Sequence, residues 1–242
     1  MAAGVPPFWS PAGATFFSLG SMRREVIEPF PLPWPDGPWQ QFAQARSQVW
    51  QAALPAAWVV GALRRCTWAG LGWDGLVQAA RNRPAPSPAS GAPCFISVDG
   101  LRWYATCEAG LFAAARALYS EEDRPGVLQG VSLEVWQLDE ALRSGLAILE
   151  AVVERRGLPW VCQVVRKTVD VEDGPGWSIW RFQPKVRILR RCANRTREDE
   201  VDAEGLAAIL AELNLAMVKP GASPRPVSAA RNRRLPKWWQ RK

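Results

Sequence analysis

Alternation of apolar and polar residues predicts two β-hairpins in the second half of the chain. The runs CFISV and LRWYA flank Asp99-Gly100, a two-residue turn that hairpins favour. Residues 160–172 pair with 177–190 around the turn DGPG, and Pro184 should put the last strand at an edge or a bulge. Pairing around the first turn puts one set of residues on a common face: Cys94, Ile96, Val98, Leu101, Trp103 and Ala105. Phe95, Ser97, Arg102 and Tyr104 then share the other face.

Helical spacing of apolar residues predicts six helices, and VSLEV predicts a short strand between two of them. The first two helices are separated by Leu54-Pro55 and are the chain's candidate helix–turn–helix. Asp74 is expected to cap the third helix and Thr106 the fourth. The predicted helices cover residues 40–53, 56–65, 74–81, 106–119, 138–156 and 202–217.

The order of these elements from residue 94 to residue 217 favours the α+β class, with mixed helices and antiparallel hairpins. Three parts are expected along the chain. Residues 1–93 form a Pro- and Trp-rich, mainly helical and irregular N-terminal lobe, which ends in the linker-like run NRPAPSPASGAP. Residues 94–218 form the α+β body, and residues 219–242 a flexible basic tail.

Basic residues concentrate in the last predicted strand and just beyond it. Residues 181–197 contain seven basic side chains and no acidic one, and Trp177, Trp180 and Phe182 accompany them. Aromatic rings and guanidinium groups on one strand offer both stacking and phosphate contacts, so the segment predicts a nucleic-acid interface. A solvated sheet face is the alternative. The basic residues are Arg181, Lys185, Arg187, Arg190, Arg191, Arg195 and Arg197.

The C-terminal tail is a second basic segment, because residues 219–242 contain eight basic side chains and no acidic one. Trp238-Trp239 beside Lys237 offers two stacking faces in a cationic setting. The rest of the chain is close to neutral. A solubilising tail and binding to an anionic membrane surface are the alternatives. The predicted contact residues are Arg231, Arg233, Arg234, Lys237, Trp238 and Trp239.

The amino-acid composition limits the catalytic and metal-binding chemistry that the chain can support. The chain has no histidine, the commonest general base and metal ligand. Its five cysteines form no C-x-x-C pair, which argues against zinc fingers and disulfides and suits a reducing cytoplasm. We therefore expect no metal and no cofactor. No long apolar run or secretory signal is present, so no membrane association is expected.

Catalytic patterns are also missing from the sequence. No phosphate-binding loop, dinucleotide fingerprint or nucleophile elbow occurs, which favours a protein that is not an enzyme. One catalytic alternative stays open, a histidine-free RNA-processing endonuclease that polarises phosphate with arginine and tyrosine. Its candidate residues are Arg23, Arg24, Arg102, Tyr104 and Arg187.

Two stretches resemble a known family. The run EPFPLPWPDGPWQQFAQARSQVW at 28–50 and the run PCFISVDGLRWYA at 93–105 are similar to the large-subunit protein of type IV CRISPR effector complexes. The resemblance implies an N-terminal lobe, a mixed α/β body and a helical C-terminal part. It also implies binding near the 5′ end of a guide RNA and reading of a short duplex motif in target DNA. The cysteine-pair zinc site common in that family has no counterpart here, where the N-terminal lobe contains only Cys66.

These patterns together predict a non-catalytic nucleic-acid-binding subunit of a ribonucleoprotein assembly, here a CRISPR effector subunit in antiviral defense. Its partners would be RNA, DNA or both, together with other protein subunits. A stand-alone DNA-binding regulator or replication accessory of a mobile element is the first alternative, and it depends on the helix–turn–helix. The RNA-processing endonuclease is the second.

Overall fold

The computed structural model describes residues 25–34, 37–82, 94–119, 126–192 and 195–215. These ranges form nine β-strands, four α-helices and two short 3₁₀-helices, Pro38–Phe42 and Ala56–Trp58. The strands are β1 (Glu28–Pro29), β2 (Ala43–Pro55), β3 (Val59–Ala62), β4 (Cys94–Ser97), β5 (Trp103–Ala105), β6 (Val127–Leu138), β7 (Trp160–Gly174), β8 (Trp177–Cys192) and β9 (Arg195–Val201). The helices are α1 (Trp73–Arg81), α2 (Glu108–Leu118), α3 (Glu140–Arg156) and α4 (Ala203–Leu215).

All nine strands belong to one sheet. Its order is β1-β3-β5-β4-β6-β2-β8-β7, and β9 pairs with β8 beside this path. The pairs β1–β3, β3–β5 and β4–β6 are parallel, and the others are antiparallel. The chain therefore combines helices with one large mixed sheet, which is compatible with the α+β class. The parallel pairs correct the expectation of antiparallel hairpins alone.

Helices cover both faces of the sheet. On one face α2 packs over Phe95, and Arg116 of α2 donates to the Ala80 carbonyl of α1 at 2.7 Å. On the other face α3 and α4 bury Leu142, Leu149 and Leu206 against Val186 and Ile188 of β8. We call these the α1–α2 face and the α3–α4 face. No helix in the described ranges is long and apolar enough to cross a membrane.

The predicted helices at 40–53 and 56–65 are wrong. Residues 43–55 form strand β2, and residues 56–65 form a 3₁₀ turn, strand β3 and an irregular turn. β2 lies between β6 and β8, so its backbone hydrogen bonds go to strands distant in sequence. Bulges around Val49 and Ala52, with Gln51 at a φ of 54°, break the period of two that would have revealed a strand.

The position of β2 also shows how the N-terminal part of the chain joins the rest of the sheet. Residues 28–62 supply β1, β2 and β3, and these strands share the sheet with strands formed by residues 94–201. Part of the predicted N-terminal lobe and part of the predicted body thus lie in one sheet. The candidate helix–turn–helix is absent, because the residues proposed for it form strands and turns.

The first predicted hairpin forms, but its register differs by one residue. Phe95 pairs with Ala105 and Ile96 with Tyr104, so Ile96 shares a face with Tyr104 and not with Trp103. Hydrogen bonds inside the loop explain the shift. The Asp99 carboxylate accepts from two backbone N–H groups at 2.8 Å, and Ser97 Oγ accepts from the Gly100 N–H at 2.9 Å. These bonds stabilise a longer loop than the predicted two-residue turn.

The remaining predictions are closer to the structure. β7 and β8 form the second hairpin. β8 pairs with β2 through residues 177–181 and with β9 through 186–192, so Pro184 lies in the interval between these two partners. α3 is confirmed, with Asp139 as its N-cap and Gly157 at a φ of 60° as its C-cap. α1, α2 and α4 are confirmed within a few residues, although Cys107 rather than Thr106 caps α2 and Gly72 precedes α1.

A glycine on β3 should be intolerant of any side chain. A Cβ at Gly61 would lie 1.7 Å from the backbone oxygen of Glu28 on the neighbouring β1. Gly61→Ala is therefore expected to cost about 1–3 kcal/mol of unfolding free energy, because backbone must shift. Urea denaturation measures the change. Gly75→Ala in α1 is the control, because its Cβ meets only Trp68 at 3.8 Å and alanine favours a helix. An equal effect of both changes would contradict this packing argument.

Candidate nucleic-acid interface

The predicted basic segment spans two adjacent antiparallel strands. Five of its cations lie on β8, and Arg195 and Arg197 lie on β9. Residues paired in register share a face, and successive residues of a strand alternate between faces. Arg190, Arg195 and Arg197 consequently lie on the α3–α4 face. The α1–α2 face carries the other four, Arg181, Lys185, Arg187 and Arg191.

Acidic residues of β7 and β9 form ion pairs with four of the seven cations. Arg187 lies 3.0 Å from Glu198 and 2.8 Å from Glu200, both on β9. Asp199 pairs with Arg197 at 3.1 Å and with Arg190 at 3.4 Å. Arg181 pairs with Asp170 and Glu172 of β7. Lys185, Arg191 and Arg195 have no ion pair with any residue that the structure describes.

The absence of acidic residues within 181–197 therefore does not leave Arg181, Arg187, Arg190 and Arg197 without anionic partners. Their contact with nucleic acid stays a prediction, but it now requires exchange of an internal carboxylate for a phosphate. The Arg181 side chain is 49% exposed, and exposed ion pairs of this kind stabilise weakly, so the exchange costs little there. The Arg190–Asp199 pair is less exposed, at 23% and 22%, and its exchange costs more. Lys185 and Arg191 need no exchange, and they share the α1–α2 face.

The Arg187–Glu200 contact shifts the pKa values of both partners. Its hydrogen bonds raise the pKa of Arg187 and lower the pKa of Glu200 below its ordinary value of 4.5. A carboxylate whose pKa is lowered by folding stabilises the fold above its unfolded pKa. That contribution is lost as the pH falls through the lowered value. Acidification should therefore remove the Arg187–Glu200 ion pair.

A second candidate site lies in the middle of the sheet, where three adjacent strands place an arginine between two tryptophans. Trp136 of β6 and Trp180 of β8 each pair in register with Arg46 of β2. The Arg46 guanidinium carbon lies 5.3 Å from the Trp136 ring centroid and 4.7 Å from the Trp180 centroid. Glu134 fixes this row, since its Oε1 accepts from Arg46 Nε and from Trp136 Nε1, both at 2.8 Å.

Arg166 of β7 extends this row with a second cation and a third ring. Its guanidinium carbon lies 4.1 Å from the ring centroid of Phe182, and its Nη1 donates to the Gln40 carbonyl. Desolvation of its guanidinium group, and then the positive charge of Arg46, lower the pKa of Arg166. Arg46 and Arg166 lie on the same face of the sheet, since Arg46 pairs in register with Trp180 and Arg166 pairs with Pro184, four residues further along β8. We call Arg46, Trp136, Arg166, Trp180 and Phe182 the central cluster.

The central cluster is suited to an anion that carries a ring. Its two cations are balanced by one carboxylate, Glu134, which is already shared between two donors. The Arg46 side chain is 31% exposed, and Arg166 is exposed. Arg46 and Arg166 were missed from sequence, because β2 was predicted as a helix and nothing local links either arginine to Trp180. The aromatic residues at 180 and 182 were the available signal.

The structure does not assemble the residues proposed for RNA cleavage. Tyr104 is buried against Phe30, and burial raises its pKa. Arg102 pairs with Glu28 at the protein surface. Four strand spacings separate β5 from β8, so Tyr104 and Arg187 are at least about 19 Å apart. Arg23 and Arg24 lie outside the described residues.

Several predicted features cannot be placed. The tail residues Arg231, Arg233, Arg234, Lys237, Trp238 and Trp239 lie outside the described residues, as does the linker at 83–93. Among the residues that the structure describes, no group of three or more acidic or cysteine side chains is arranged to hold a metal.

No protein-family model matches this chain, and neither the curated proteins nor the solved structures contain a significant match.

Proposed function

We propose that the chain is a non-catalytic nucleic-acid-binding subunit of a ribonucleoprotein assembly. The observation that carries this proposal is the central cluster, in which two arginines and a partly exposed tryptophan lie side by side on a sheet. Sheets that present aromatic rings bind single-stranded bases by stacking, while nearby cations hold the phosphates. Here Trp180 would supply the stacking surface and Arg166 the phosphate contact.

Two further features of the chain support membership of an assembly. The tail at 219–242 adds eight cations without an acidic residue, which suits a nucleic-acid backbone more than a folded core. The resemblance to the large subunit of type IV CRISPR effector complexes would make the RNA a guide and the second ligand its target DNA. Both ligands remain part of the proposal, as does the role in antiviral defense. The DNA-binding regulator loses its support, because its helix–turn–helix is absent.

Binding of a labelled single-stranded RNA of about ten nucleotides, a length that one sheet surface can hold, tests the proposal. Trp180→Ala should weaken binding by about tenfold, which corresponds to one lost stacked base. Arg166→Ala should lower the slope of log affinity against log salt by about 0.7, the value for one lost phosphate contact. Single-stranded DNA of the same sequence should respond in the same way.

Two control variants test whether weaker binding is specific to the central cluster or follows the loss of any arginine or tryptophan. Arg143→Ala removes an exposed arginine on α3 that pairs with Glu140, and Trp50→Ala removes a tryptophan that is 41% exposed. Both should leave affinity within about twofold of the parent, since neither side chain belongs to the cluster. If the cluster and control variants weaken binding equally, Arg166 and Trp180 are not the contact site. If the nuclease-treated full chain binds no RNA or DNA at low salt, the proposed function is wrong.

A further inference from the structure

Strand β7 occupies one end of the sheet and is long. It contains 15 residues and pairs with β8 along its length, and no strand in the described part of the chain pairs with its outer side. Residues 166–171 are exposed one after another. An edge strand of this length offers a row of backbone donors and acceptors to another strand.

The charges of β7 are divided between its two halves. Arg166 and Lys167 lie in the first half, whereas Asp170, Glu172 and Asp173 lie in the second. Charged side chains on an edge strand normally keep two copies apart. When two copies of β7 approach antiparallel, however, the basic half of each meets the acidic half of the other. The charge pattern is therefore complementary to itself in that orientation alone.

A bulge in β7 places side chains of opposite charge on the same face of the sheet, as this pairing requires. The register of β7 against β8 shifts between Thr168 and Asp170, which leaves Val169 unpaired. Lys167 pairs with Gln183 and Glu172 pairs with Ile179, so both lie on the α1–α2 face. In a regular strand, residues five positions apart would lie on opposite faces.

A two-fold axis between Val169 and Asp170 would consequently set Lys167 opposite Glu172 of a second copy, on the same face. The same register sets Arg166 opposite Asp173, both on the α3–α4 face. It also sets Val171, which is 46% exposed, opposite the β-branched Thr168 of the second copy, both on the α3–α4 face. Opposite charges and β-branched residues in facing positions are the pairs that stabilise sheets.

We propose that β7 is a self-association surface, through which two copies of this chain form an antiparallel dimer with one continuous sheet. The interface is isologous, as two-fold symmetry requires. Because the axis is perpendicular to the sheet, the α3–α4 faces of both copies point the same way. The two central clusters, each of which includes Arg166 of β7, then lie on either side of the two-fold axis, although the dimer does not depend on their binding nucleic acid.

Sedimentation equilibrium of the full chain, freed of nucleic acid by nuclease and high salt, tests this pairing. The chain has a mass of 26.8 kDa, and a species of twice that mass is expected as concentration rises. Lys167→Glu alone and Glu172→Lys alone should each raise the dimer dissociation constant by about tenfold, because symmetry places a like-charge pair at two positions. The double variant K167E/E172K should restore the parent constant, since it recreates both opposite-charge pairs.

A control and a fold check accompany these variants. Arg143→Glu reverses an exposed charge on α3, away from β7, and should leave the dissociation constant unchanged. Circular dichroism shows whether each variant keeps the parent fold, because Lys167 also lies near Glu200, and Glu172 pairs with Arg181. A parent chain that stays monomeric would overturn the proposal. So would folded single variants that dimerise like the parent, or a double variant as weak as the single ones.

Discussion

A chain that ends at Val218 is expected to bind single-stranded RNA about tenfold or more weakly than the full chain at roughly 0.1 M salt. This truncation removes residues 219–242, with eight basic side chains and no acidic one, and keeps every residue that the structure describes. If half of these cations contact phosphates, the slope of log affinity against log salt should fall by about 3. Fluorescence anisotropy at several salt concentrations measures both quantities.

Charge and stacking in the tail can be separated. A full chain with Trp238→Ser and Trp239→Ser keeps all eight cations of the tail. Its salt slope should match the parent, whereas its affinity should fall by about tenfold for each base that the two tryptophans stack. Equal affinity and equal slope for the truncated and full chains would instead make the tail a solubilising segment.

The case of β2 shows why part of the fold could not be predicted. Phe42, Ala45, Val49 and Ala53 repeat at helical spacing, and glutamine and alanine favour helices. The strand forms because β6 and β8 lie on either side of it, and both are far away in sequence. Both faces of β2 carry partly buried side chains, and its bulges interrupt the alternation of apolar and polar residues that is typical of a strand. Tertiary pairing thus outweighed local preference.

The second hairpin and α3 were predictable because their signals are local. The turn between β7 and β8 contains Pro175-Gly176, and Val186 and Ile188 alternate with charged residues. In α3 the apolar stripe, the Asp139 N-cap and the Gly157 C-cap all indicate the same helix. Consistent local signals of this kind specify an element without knowledge of its partners.

The electrostatic interpretation of β8 failed in part for a different reason. The sequence separates the cations of 181–197 from the acids that follow them, so the segment looked purely basic. β9 was not predicted, and its antiparallel return places Glu198, Asp199 and Glu200 beside β8. The central cluster shows the reverse effect, since the fold brings together Arg46, Arg166 and Trp180 from three separate strands. Charge along the chain is a poor guide where strands pair.

Leu149→Ala is expected to have a large effect on stability, at about 2–5 kcal/mol of unfolding free energy. The Leu149 side chain is fully buried in the core that α3 and α4 form over β8, with Leu142, Val186 and Ile188. Removal of its branched end leaves a cavity and loses the transfer free energy of the missing carbons. Urea denaturation followed by circular dichroism measures the loss.

The neighbouring residue provides a matched control. Ile148 lies in the same helix but is 54% exposed, so Ile148→Ala should change stability by about 0.5 kcal/mol or less. Because β8 pairs with β2 as well as with β7 and β9, the whole sheet should unfold with this core in one transition. If Leu149→Ala instead produces a separate early transition, the part formed by α3, α4 and β7–β9 unfolds independently. In that case the pairing of β2 with five residues of β8 does not couple this part to the rest of the sheet.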